Sequence, residues 1–178
     1  MRALLVVDVQ NDFCPGGALA VPKGDRVVPV INDLIADFEL VLASKDWHPE
    51  ESVHFEGWPE HCVKETKGAE FHPDLNPDKI DRVFLKGTKD KDDGYSAFEA
   101  TNLDLADYLK KEKVDELYIS GLATEYCVKE TALDAAKKDF DVYVIKEAVA
   151  GIDEDDVAAA LAEMKEAGVD IVSVSEIR

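Results

Sequence analysis

At 178 residues the chain has room for one domain around one hydrophobic core, and 46% hydrophobic residues with 10 Gly and 7 Pro exclude a disordered or low-complexity class. Lys plus Arg number 20 against 39 Asp plus Glu, and the net charge of −19 repels phosphate backbones and anionic lipids, so neither nucleic acid nor a membrane is an expected partner. Cys14, Cys62 and Cys127 cannot all pair with one another, and the first apolar run stops at Asp8, too short for a signal-peptide core or a membrane span; free thiols and a cytoplasmic location are expected.

The first element is a strand, the aliphatic run Ala3 to Val7. Val27, Val30, Ile31, Leu34, Ile35 and Phe38 then recur at i, i+3, i+4 spacing, which predicts a helix capped by Asp25, with Pro29 early enough to be tolerated. A second strand at Leu40 to Ala43 runs into Ser44 to Arg82, which has no clear period. Both tryptophans, all four histidines and Pro49, Pro59, Pro73 and Pro77 lie in it. Aperiodic stretches of that length are usually functional or disordered, and the aromatics and histidines argue against disorder, so residues 44–82 are the first place to look for chemistry.

Val83 to Leu85 is a third strand, followed by a helical stripe at Leu105, Tyr108 and Leu109. Strand four is Leu117 to Ile119, and Val128, Ala132, Ala135 and Ala136 mark the next helix. Strand five is Val142 to Ile145; the stripe Val157, Ala160, Leu161 and Met164 is closed by Gly168; strand six is Ile171 to Val174. Strands alternating with helices predict a three-layer α/β fold, a six-stranded parallel sheet covered by helices on both faces, because parallel neighbours need crossover connections.

In an open parallel sheet the crevice lies beyond the carboxyl ends of the strands. That edge receives Asp8 from strand one, Asp46 and His48 from strand two, Lys86 from strand three and Gly121 through Cys127 from strand four. Each of these alone reads as a capping or loop group. Together a carboxylate, an ammonium, a thiol and a carboxylate–histidine pair make the reagent set of an active site. Cys127 precedes the Val128 stripe and so sits at a helix N-terminus, where its thiol pKa should be lowered and where amides can hold an oxyanion. Cys14 and Cys62 read as inert apolar residues. Asp46 and His48, two apart in extended chain, project to one side with Trp47 opposite; with His54 and His61 they offer one Asp and up to three His to a divalent ion. His72 has no such partner and reads as a surface residue.

The segments VVDVQNDFCPGGAL, SKDWHPEESVHF, WPEHCVKETKGAEF, YSAFEAT and GLATEYCVKETALDA together resemble the nicotinamidase/pyrazinamidase branch of the isochorismatase-like cysteine hydrolases, and the resemblance runs over essentially all of residues 1–178. It implies a single hydrolase domain with a Rossmann-like sheet of order 3-2-1-4-5-6 and a catalytic triad of Asp8, Lys86 and Cys127. It implies a metal site of Asp46, His48 and His61, with His54 added in some members, holding one divalent ion, zinc before iron or manganese. Phe13, Trp58 and Tyr95 would wall the substrate pocket, Ala123 and Cys127 would supply the oxyanion amides, and the Leu122–Ala123 peptide would be cis.

The activity implied is hydrolysis of nicotinamide, and of pyrazinamide, to the acid and ammonia through a Cys127 thioester, in NAD salvage. The alternatives are a relative acting on another small amide, an isochorismatase, against which the Asp46, His48, His61 set counts, and a non-catalytic metal-binding protein. Ala97 replaces a frequent Gly and Leu122 a frequent Val, departures that bear on fine substrate preference. A homo-oligomer is as compatible with the sequence as a monomer.

Overall fold

The aliphatic runs become strands because each buries side chains on both faces of the sheet. In the computed structural model, which describes residues 1–178, they are β1 (Arg2–Val7), β2 (Leu40–Asp46), β3 (Arg82–Lys86), β4 (Glu116–Leu122), β5 (Asp141–Ala150) and β6 (Asp170–Val172). All neighbours pair parallel, in the order β3-β2-β1-β4-β5-β6 that the resemblance implies. The helices are α1 (Val27–Leu34), α2 (Leu105–Lys111), α3 (Lys129–Ala136), α4 (Glu154–Glu166) and α5 (Val174–Ile177).

The period-2 alternation of a strand divides the interior into two layers. On one face Leu4 and Val6 of β1 pack with Val27, Ile31 and Leu34 of α1 and Ile177 of α5. On the other, Ala3, Leu5 and Val7 pack with Leu105 and Leu109 of α2, Ala132 and Ala135 of α3 and Met164 of α4. Ala3 through Val7 are fully buried, and each large aliphatic side chain so placed contributes about 1.5–3 kcal/mol.

Four local expectations need correction. Asp25 does not cap α1: it lies inside a 3-10 turn, Gly24–Arg26, and the residue preceding α1, Arg26, is itself helical, so no extended residue is there to reach back. Phe38 lies beyond the helix in extended backbone, after a second 3-10 turn, Ile35–Asp37, though its ring still packs against the core. Val174 leaves the last strand and starts α5, because Ser173 and Glu176 form a capping box. Val128 belongs to a π turn, Thr124–Val128, that precedes α3.

Gly168 ends α4 as expected, at φ +90°. Residues 44–82 are ordered around three 3-10 turns and two isolated bridges, Gln10 with Phe71 and His48 with Val63. No helix is long and apolar enough to cross a membrane.

Candidate active site

Four strand ends meet at the carboxyl edge of the sheet. Asp8, one residue past β1 and fully buried, turns the chain at φ 51°; its N–H bonds to Ser44 O, and the Ser44 hydroxyl donates to Asp8 Oδ1 at 2.7 Å. Asp46 ends β2, its backbone gripped by Gln10, whose Oε1 accepts the Asp46 N–H at 2.9 Å while its Nε2 donates to Asp46 O at 2.8 Å. Lys86 ends β3, fully buried. Its ammonium donates to Asp46 Oδ1 at 2.5 Å, Gly94 O at 2.7 Å and Cys127 Sγ at 3.3 Å, and lies 2.7 Å from Asp8 Oδ2 as an ion pair.

The turn that returns Gly94 to Lys86 requires glycines. Gly94 has φ +84°, and a Cβ there would overlap the backbone of Gly87. Beyond β4 the Leu122–Ala123 peptide is cis, as expected, and the π turn sets Cys127 beside Lys86.

Burial dominates the electrostatics. It pushes the Cys127 thiol well above its ordinary pKa; the Lys86 ammonium opposes this, and Asp8 and Asp46 reinforce it. The expectation of a lowered thiol pKa therefore fails: desolvation in a closed box with two carboxylates outweighs a turn's amides and one cation. Burial also raises Asp8, against the pull of Lys86. For Asp46 burial acts in the same direction but loses to Lys86 and to the adjoining His48 and His61, so this carboxyl stays well below its usual range. Lys86, which burial alone would discharge, is held well above its ordinary value by Asp46 and Asp8.

On the other side of Asp46, Oδ2 faces His48 Nε2 at 3.4 Å and His61 Nε2 at 3.6 Å. Each of the three buried histidines anchors its Nδ1 on an oxygen: His48 on Gly87 O at 2.9 Å, His61 on Pro59 O at 2.7 Å, His54 on Asp92 Oδ1 at 2.8 Å. Those acceptors assign the proton to Nδ1 and leave Nε2 a lone pair. One nitrogen from each ring lies within 4.8 Å of the other two, and His48 Nε2 is buried with no hydrogen-bond partner. Converging lone pairs beside a carboxylate lack an electrophile, and a divalent cation fits that want. Asp8, Asp46 and Cys127 cluster as closely, but there the Lys86 ammonium already supplies the positive charge.

A largely apolar cavity opens onto the histidines, and Phe13, Trp58, Tyr95 and Ala123 all line it. Trp58 Nε1 donates to Tyr95 Oη at 3.0 Å, and the Tyr95 hydroxyl donates to Asp92 Oδ1 at 2.9 Å. Every residue singled out at the strand ends is thus in one place. His72 stays outside, accepting the Asp74 N–H, and Cys14 and Cys62 are buried, burial pushing the Cys14 thiol up to about 11. Ala97 and Leu122 are fully buried in the two packing layers, and neither is among the residues that line the cavity.

Sequence reasoning missed Ser44, Gln10 and Asp92, and the lining residues Tyr126 and Ile152. Ser44 and Gln10 were within reach, since both lie in strand-end segments already under suspicion.

The isochorismatase domain family matches residues 2–176. The nicotinamidase/pyrazinamidase of Mycobacterium tuberculosis is 42% identical, with 98% of this chain and 100% of the relative covered. Among solved structures, the pyrazinamidase of Pyrococcus horikoshii in complex with zinc aligns at TM-score 0.89 with 47% identity, covering 97% of this chain and 98% of that one. PnC1 from L. infantum in complex with nicotinate aligns at 0.93 with 34% identity over 98% and 93%. A match that extends from the first strand into the last helix decides the question of descent: the chain belongs to the isochorismatase family.

Proposed function

We propose that this protein is a nicotinamidase, one hydrolase domain spanning residues 1–178 that converts nicotinamide to nicotinate and ammonia in NAD salvage and also accepts pyrazinamide. The observation that carries the reading is the sharing of Asp46: one oxygen holds Lys86 against Cys127, and the other faces two of the converging histidines. An ion-binding face is thereby built into the wall of an aromatic-lined cavity, with the buried Cys127 thiol linked to it through Lys86 and Asp46, an arrangement that suits a pyridine carboxamide. The relatives named for nicotinamide and pyrazinamide hydrolysis, and the zinc and nicotinate complexes, support the same substrate and ion.

In this mechanism Cys127 Sγ attacks the carboxamide carbon while its proton passes to Asp8, which Lys86 keeps oriented and ionised. The tetrahedral oxyanion sits against the amides of Ala123 and Cys127; loss of one such donor typically costs about 100- to 1000-fold in rate. The C–N bond breaks as Asp8 returns the proton to the departing nitrogen, giving ammonia and a thioester. Water, deprotonated by the same carboxylate, then releases nicotinate and restores the thiol. Asp46, His48, His54 and His61 would hold one divalent ion, zinc first with iron or manganese as alternatives, and when bound it supplies a Lewis-acid site for a pyridine-type nitrogen. Phe13, Trp58 and Tyr95 flank the ring. Three unpaired cysteines support a reducing, cytoplasmic setting.

The test is ammonia release from nicotinamide, pyrazinamide and benzamide. The first two should be turned over and benzamide, which lacks the ring nitrogen, poorly; equal turnover of benzamide and nicotinamide would contradict the reading. Chelation should abolish most of the activity, and adding back zinc, manganese or iron should restore it.

A further inference from the structure

The segment between Lys86 and Tyr95 looks like plain surface, with Lys89, Asp90, Lys91, Asp92 and Asp93 in succession and the Asp92 side chain 64% exposed. Two of its carboxylates are nevertheless committed. Asp90 Oδ1 accepts the Val53 N–H at 2.8 Å, at the first residue of the 3-10 turn that carries His54. Asp92 Oδ1 accepts from His54 Nδ1 at 2.8 Å and from the Tyr95 hydroxyl at 2.9 Å, and Tyr95 in turn accepts from Trp58. One oxygen is therefore the meeting point of a ring that faces His48 and His61 and of two aromatics that line the cavity.

An exposed carboxylate making a single ion pair contributes little. This one is held by two donors, and what it fixes is a ring orientation. An imidazole whose Nδ1–H is bound by a carboxylate offers its other nitrogen in one tautomer and one direction. The anchors of His48 and His61 are backbone carbonyls, Gly87 O and Pro59 O, which no side-chain substitution deletes. His54 alone depends on a side chain, so its aim is the one that a single replacement can change.

We propose that Asp92 is a positioning residue: its Oδ1 aims His54 Nε2 at the position shared with His48 and His61 and, through Tyr95, fastens the aromatic wall to the same ring. This rests on reading Asp46, His48, His54 and His61 as the ion-binding set. The two arms from the one oxygen separate two measurable quantities, ion affinity on the His54 arm and substrate KM on the Tyr95 arm.

The experiment titrates metal-stripped protein with Zn²⁺ by calorimetry or chelator competition and records ¹⁵N–¹H spectra of the labelled imidazoles, with KM for nicotinamide measured on reloaded enzyme. Asp92→Ala should weaken Zn²⁺ binding about 10- to 100-fold and remove the Nδ1–H signature of His54. Asp92→Asn, which keeps an acceptor oxygen, should show a smaller loss. Tyr95→Phe should leave Zn²⁺ affinity at the wild-type value and raise KM. His48→Ala is the control for the underlying site. Wild-type affinity in Asp92→Ala with a loss in His48→Ala would overturn the role of Asp92 alone; wild-type affinity in both would overturn the ion-binding set and Asp92 with it. Should Asp92→Ala lose its fold by circular dichroism, Asp92→Asn decides, wild-type affinity and an unchanged His54 signal being the overturning result.

Discussion

The Lys86 ammonium donates to Asp46, Gly94 and Cys127. Asp8 pairs with the same ammonium through Oδ2 at 2.7 Å and accepts the Ser44 hydroxyl on Oδ1. Its Oδ2 shares the ammonium with Cys127 Sγ and is the oxygen suited to receive the thiol proton. Because burial raises Asp8, the carboxylate needed as base is lost on acidification at a higher pH than an ordinary aspartate would be, so kcat/KM should fall on an acid limb displaced in that direction. The Ser44 hydroxyl favours the charged form, and Ser44→Ala should therefore move the limb to higher pH, as a pH–rate profile will show; an unmoved limb would remove Asp8 from the base's role. The same sign governs stability: a raised folded-state pKa makes Asp8 least costly below the unfolded value and more costly as pH rises through the folded one. Cys127→Ala should abolish turnover with fold and zinc content intact, by circular dichroism and metal analysis. The identities of these groups were legible because strand ends in a parallel sheet converge whatever the loops do. The thiol's raised pKa was not, because it depends on how completely the surrounding chain excludes water.

Helix α4 shows what a local signal can and cannot disclose. Its N-cap, Asp153, accepts from the N–H groups of Asp155 and Asp156 at 2.9 and 3.1 Å, and Asp153→Ala should cost about 1 kcal/mol in a urea melt. The cap is also joined to the nucleophile turn. Glu125, next but one to Cys127, accepts the N–H groups of Ile152 and Asp153 at 2.6 and 3.2 Å, and Ile152 lines the cavity. The stripe of α4 and its closing Gly168 were readable from spacing. The long-range tether was not, since nothing near Glu125 in sequence announces its partner. The same division explains α5: Ser173 and Glu176 form a box that can be read locally, but a short apolar run before it imitates a continuing strand. The π turn Thr124–Val128 carries no composition of its own and follows from where β4 must deliver Cys127.

For the molecule as a whole, strand and helix alternation fixes a parallel sheet with helices on both faces, and the two packing layers agree. The order of the strands is a different matter: hydrophobic period says which residues are buried, not beside which neighbour, and only the resemblance supplied it. The net charge of −19 is a property of this scale too. Self-repulsion of that size favours expansion, and salt screens it over about 10 Å at 0.1 M, so the melting temperature should rise between low salt and roughly 0.15 M; a falling value by calorimetry would show that specific ion pairs outweigh the general repulsion. The sheet order has a further consequence. Asp8, Asp46, Lys86 and Cys127 arrive at the ends of four different strands with long stretches of chain between them, so the polypeptide from Asp8 through Cys127 must be in place before all four reagents meet. Such topologies form slowly, and they forbid partial competence: a nascent or clipped chain lacking β4 retains two acids and a lysine with no sulfur to act on. Catalysis is therefore a report on completed folding, and recovery of turnover after dilution from denaturant should trail recovery of helical signal.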